Sequence, residues 1–269
     1  MRFDPLSSLL PLPTAAALLL AVSSPLAAAP QVYADPAGTC SGQTPCFTTI
    51  TDAVANAGPA PANVGVFPGT YAEAVDLSTM GSAITGTPGA LTIEALDGSG
   101  QPTDSGVTID PGATGGPGTG VGLMSGMGPP FPGDLTLRGL TVTSPDSTAT
   151  GLIIDGNLLI EDMVVEGSPQ LGMIAAADGN VTIERTVARL NTGTGLGAAA
   201  SGTTTLRDVV AERNGGTGVA AQGELDVLLE RVDSTLNEVG LEAASCSALV
   251  LSDSMITLSS AEGGTLEVG

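Results

Sequence analysis

Histidine, lysine and tryptophan are missing from this chain, and its 7 basic residues are all arginine. Against them stand 28 acidic residues, for a net charge of -21. Such a surface repels phosphates and anionic lipid, which excludes a nucleic-acid role. The absence of histidine removes the base of a Ser-His hydrolase and the usual ligands of zinc. Aromatics are 2% of residues although hydrophobic side chains reach 42%, so a core has to be built from small aliphatic groups. With 38 Gly and 19 Pro the chain is rich in turns, which suits short strands and not a helical bundle. The acids are dispersed and not in runs, and they read as solubilising charge.

Long apolar runs are also scarce. Residues 9–22 are apolar but too few to span a bilayer comfortably. Arg2 precedes them and Ala27, Ala28 and Ala29 follow, the layout of a secretory signal peptide over residues 1–29. No later run is long enough to cross a membrane, so the mature chain is expected to be exported, extracellular or periplasmic. Cysteine usage agrees. Cys40 and Cys46 share a Gly/Thr/Pro-rich loop and are expected to form a small disulfide in an oxidising compartment. Cys246 is left over and is expected to be a small core residue.

What the chain does have is a repeat. Units begin at Asp134, Asn157, Asn180, Thr203, Asp226 and Ala248, at spacings of 23 and then 22 residues. The fourth position is aliphatic throughout: Leu137, Ile160, Ile183, Leu206, Leu229 and Leu251. Two places earlier stand Leu135, Leu158, Val181, Thr204, Val227 and Leu249. That alternation marks a strand with one buried face. A second short strand carries Val142, Val165, Ala188 and Ala211 in register. A turn with Asn191, Asn214 and Asn237 follows, and then a glycine: Gly151, Gly172, Gly195, Gly218, Gly240 or Gly264. Glycine there suits a bend of positive φ. Units this short bury a face only when stacked.

Charge supports the stacking. The sixth position reads Gly139, Asp162, Arg185, Asp208, Arg231, Asp253, with sign alternating once charge begins. The fifth reads Arg138, Glu161, Glu184, Arg207, Glu230, with one like-charge step, and the tenth reads Glu166, Arg189, Glu212. In parallel coils such neighbours lie ~4.8 Å apart. Alternating charges attract there and fix register, although each exposed pair contributes only ~0–1 kcal/mol. A leucine-rich horseshoe has an overlapping period, but these units are β-branched and Gly-rich.

This pattern, with its asparagine ladder, resembles the right-handed parallel β-helix family of pectin-lyase-like proteins. The resemblance covers residues 134–269 as six regular coils. Residues 30–133 are expected to hold an N-terminal cap and irregular first coils. There, residues 46–57 look like the short amphipathic helix that plugs the first coil in the family. Residues 66–71, with Phe67, Pro68, Gly69, Tyr71 and then Glu73, are similar to the family's first-coil motif. Strands are expected over residues 91–95, 106–110 and 120–124. The expected fold is an all-β solenoid of ~22–23-residue coils with a capping helix.

The resemblance implies that carbohydrate chemistry should be sought. Lyases of the family use Arg or Lys as base. Here Arg138, Arg185, Arg189, Arg207 and Arg231 already belong to the charge columns, and Arg213 reads as an exposed neighbour of Glu212. Hydrolysis needs two carboxylates at a set separation. Glu161 and Asp162 are adjacent but both sit in columns. The family's Asp-Asp and Gly-His-Gly hydrolase motifs are absent, and Gln170 and Gln222 lie in no esterase-like context. Asp97, Asp104 and Asp110, in Gly-rich loops, are weak candidates for Ca²⁺, with no EF-hand spacing; otherwise no cofactor is expected. The reading is an exported, non-catalytic scaffold for adhesion or polysaccharide binding. A polyuronate lyase or glycoside hydrolase is the alternative. Cell-surface components are the other expected partners. The final coil lacks a polar cap, which leaves three readings open: a truncated chain, end-to-end self-association with a copy, or docking on a partner.

Overall fold

The alternating segments become strands that stack in parallel at the expected offset. In the computed structural model, residues 30–58, 61–77, 89–114, 122–125, 130–258 and 266–268 are described. Leu135 stands opposite Leu158, Leu158 opposite Val181, and Val181 opposite Thr204. Each coil has three faces. Leu135–Arg138, Leu158–Glu161 and Val181–Glu184 lie on the first, and Leu140–Thr143, Val164–Glu166 and Val187–Arg189 on the second. Thr150–Ile154, Met173–Ala177 and Leu196–Ala200 lie on the third. Two later strands, Thr204–Glu212 and Asp226–Asn237, run unbroken around the first corner. They join the first two faces into one 16-stranded sheet, while the third face is an 8-stranded sheet. The chain is an all-β parallel β-helix of ~22–23-residue coils, and parallel crossovers of this kind take the right-handed sense.

The corners explain the two best-defined columns. At the first corner Gly139, Asp162, Arg185, Asp208, Arg231 and Asp253 all have φ between 49° and 71°. At the second, Gly167, Leu190, Arg213 and Leu236 have φ between 54° and 72°. For an L-residue that conformation costs roughly 1–2 kcal/mol, so burial of the adjoining strands has to offset it at every coil. The described glycines among those chosen from the sequence for positive φ do not have it. Gly172, Gly195 and Gly218 are needed for close approach instead. A Cβ on Gly195 would lie 2.4 Å from Asn214 Nδ2, and one on Gly218 would lie 2.4 Å from Asn237 Nδ2. Gly151 is out of that column, since Thr150 stands opposite Met173 and Gly151 opposite Ile174. Gly264 lies outside the described residues, as do residues 1–29 with their expected signal peptide.

The core is one aliphatic cluster running the length of the coils, narrowed to Ala175, Ala198, Ala221 and Ala243 behind the third face. At the N-terminal end the helix is shorter than expected, Ile50–Ala55. Cys46–Phe47 joins the sheet beside Val32–Ala34, and Thr49 caps the helix by accepting from Asp52 N at 3.0 Å. Ile50, Ala53 and Val54 are buried against the core, so the helix plugs the first coil. Glu73 fastens it, its carboxylate accepting from Ile50 N at 2.7 Å and Thr51 N at 3.1 Å. Cys40 and Cys46 are disulfide-bonded, and Cys40 packs with buried Phe67 and Leu96. The strand expected over residues 106–110 shortens to Val107–Ile109, and of the one expected over 120–124 Leu123–Met124 is strand while residues 120–121 lie outside the described residues. Cys246 departs from expectation: it is an exposed free thiol, because it follows the outward end of Val239–Ser245 in the turn leading to the last coil. Among the described residues no helix is long and apolar enough to cross a membrane. Part of the surface expected to mediate end-to-end contact lies in residues 259–269, most of them outside the described residues.

Candidate functional site

Outward positions on the third face form an open groove of ≈ 760 Å³. Its floor is Gly197, Ala199, Ala220 and Ala244, with Ile174 at one end and Gln222 and Glu242 at the other. The sequence puts small residues here because each strand alternates, sending its larger aliphatic groups inward. Glu242 Oε1 accepts from Thr217 Oγ1 at 3.3 Å. No arginine lines this groove.

The arginines are engaged elsewhere. Arg185 holds Asp162 through Nε at 2.6 Å and Nη2 at 3.0 Å, and reaches Glu161 and Glu184 at 3.0 Å each. Arg231 holds Asp208 at 2.5 and 2.9 Å and also pairs with Glu230. Arg207 joins Glu230 at 2.8 Å to Glu184 at 3.1 Å, Arg189 pairs with Glu166 at 2.7 Å, and Arg138 pairs with Glu161. Hydrogen bonds from Arg231 and Arg207 hold the Asp208 and Glu230 carboxyls below the usual carboxylate range. Asp253 takes the same corner one coil on and forms no ion pair among the described residues. Arg213, also unpaired, is exposed at the second corner.

The asparagines form the expected ladder and are buried. Asn191 Nδ2 donates to Asn214 Oδ1, and Asn214 Nδ2 to Asn237 Oδ1, both at 3.0 Å. A second, exposed ladder escaped sequence reading although it begins the units. Asn157 N and Nδ2 donate to Asp134 Oδ1 at 2.7 and 3.0 Å, and Asn180 N and Nδ2 to Asn157 Oδ1 at 3.0 and 3.1 Å.

The three aspartates named for calcium do not converge. The Asp97 carboxylate accepts from Ser99 N, Ser99 Oγ and Gln101 N within its own turn. Asp110 accepts from Gly112 N at 3.0 Å. Asp104 lines a ≈ 380 Å³ pocket with Glu94, Arg138 and Asp162. Among the described residues no three His, Cys, Asp or Glu side chains group as metal ligands. Glu94 was missed by sequence reading. It stands opposite Arg138 and so begins the fifth-position column, but it is only 1% exposed. Its Oε1 accepts from Asn63 Nδ2 at 3.3 Å while Oε2 has no hydrogen-bond partner among the described residues, and burial pushes its carboxyl up from the ordinary value.

No protein-family model matches the chain, and no curated protein matches it. Solved structures do. A pectin methylesterase from Aspergillus niger is similar with a TM-score of 0.53 at 13% identity, over 90% of this chain and 91% of its own. The A-module of a mannuronan C-5 epimerase from Azotobacter vinelandii gives 0.46 at 18% identity, over 76% and 70%. The pectate lyase Pel9A gives 0.41 at 12%, over 85% and 79%. The likeness to the pectin methylesterase agrees with the parallel β-helix fold of this chain.

Proposed function

We propose that this chain is an exported, non-catalytic β-helix scaffold that binds polysaccharide along its third face. One observation carries the reading: the long groove on that face holds a single ionisable side chain, Glu242, so no acid–base pair is assembled there. The arginines that a lyase would use as base are fixed in ion pairs, apart from Arg213 on another part of the coil. The pectin methylesterase shares the fold, and fold alone does not transfer its reaction. Export is supported by the Cys40–Cys46 disulfide, which suits an oxidising compartment.

The test is incubation of purified protein with acidic and neutral polysaccharides, with and without calcium, following chain length and column retention. Retention without shortening is the expected result. Shortening of any polymer refutes the non-catalytic reading and favours the lyase or hydrolase alternative. Calcium-dependent retention would restore a role for Asp97, Asp104 or Asp110.

A further inference from the structure

The third face stands apart from the rest of the surface in its charge. Over five consecutive strands, from Thr150–Ile154 to Val239–Ser245, its only charged outward residue is Glu242. Along one edge, where the strands end, lie exposed Asp155, Asp178 and Glu224. All the described arginines sit on the first two faces or at their corners. The groove is therefore an apolar floor beside carboxylates, on a chain of net charge -21.

We propose that the groove takes a glycan strand free of carboxylate and sulfate groups, an inference that rests on the polysaccharide-binding reading above. A polyuronate would bring a carboxylate with every sugar to a surface that offers no cation, and each would lose water without gaining a partner. Hydroxyl groups meet no such penalty. Gln222 offers donors and an acceptor, Thr194 offers a hydroxyl, and Glu242 Oε2 has no hydrogen-bond partner among the described residues. Coils rise by ~4.8 Å, close to the length of one extended pyranose unit, so the same two outward positions can meet successive sugars.

The experiment is retention of the purified, disulfide-intact protein on immobilised β-glucan, galactomannan and polygalacturonate at ~0.15 M salt, where long-range attraction is screened. Wild type is expected to be held by at least one neutral matrix and to pass through polygalacturonate. Ala220→Arg places a cation on the floor. It is expected to weaken neutral-glycan retention at least tenfold and to create retention on polygalacturonate. Ala176→Arg, also outward on this face, serves if the first variant fails to fold. Wild-type retention on polygalacturonate overturns this inference and leaves the polysaccharide-binding reading standing. Passage through all the matrices sinks both.

Discussion

Asn214→Ala should cost this protein about 3–5 kcal/mol, far more than the same change at Asn180. Asn214 is 3% exposed in the middle of the buried ladder. Its Nδ2 donates to Asn237 Oδ1 at 3.0 Å and to the Ala188 carbonyl at 3.1 Å. Its Oδ1 accepts from Asn191 N at 3.1 Å and from Asn191 Nδ2 at 3.0 Å. Truncation deletes the two donated bonds, at about 1 kcal/mol each, and leaves the buried Asn191 N–H without its acceptor, at about 1–3 kcal/mol. Asn180 makes a similar set, donating to Asn157 Oδ1 at 3.1 Å and accepting from Thr203 N at 2.9 Å, but it is exposed. Water replaces those partners, so its loss should stay near 1 kcal/mol or below. Urea unfolding followed by circular dichroism measures both variants. Equal losses would refute the claim that burial, and not the repetition of asparagine, makes the ladder structural.

Gly195→Ala should destabilise by about 1–3 kcal/mol through overpacking, because the new Cβ meets Asn214 Nδ2 at 2.4 Å and the Gly218 carbonyl at 2.8 Å. Gly151→Ala meets nothing within 4 Å and should stay within about 0.5 kcal/mol of wild type in the same urea assay. Glu94 gives a pH signature. Its folded-state pKa is raised above 4.5 by burial, so the stability tied to its neutral form is complete below that pH and is lost as pH rises through the folded value. Glu94→Gln stays neutral throughout. It should match wild type near pH 4 and unfold at higher urea near pH 8, and equal midpoints at both would show that the carboxyl is not held apart from water.

The coil repeat was legible because two independent periodicities agreed on it. The alternation of Leu135 and Leu137, carried to Leu249 and Leu251, set the first face, and the sign changes from Asp162 to Asp253 set which residues stack. The glycine column was placed well from Gly172 to Gly218 but for the wrong reason. A recurring glycine looks the same whether it serves a left-handed bend or room for a neighbour's amide. The residues that do turn left-handed include Arg185, Leu190 and Leu236, whose types give no hint of it. Cys246 was misplaced because a small residue in the last turn looks like a core position when strand ends are set by period alone. Glu94 was hidden because 44 residues, and not 23, separate it from Arg138, although the two strands still pair. The third-face groove left little trace as well, since glycine and alanine facing outward look like packing residues.

The fifth column's one like-charge step, Glu161 to Glu184, is where the ladder would be expected to strain. It is relieved from the neighbouring column: Arg185 reaches both carboxylates at 3.0 Å, while Arg138 and Arg207 hold their other sides. The two columns are therefore one network, and a slip of a single residue would break both together. Each pair is partly exposed and contributes little alone, so the gain is in register more than in stability. With no lysine in the chain, four arginines belong to this network and Arg189 to its pair with Glu166, and no arginine lines the third-face groove. An anionic ligand seated on that groove would therefore meet no basic side chain in its lining.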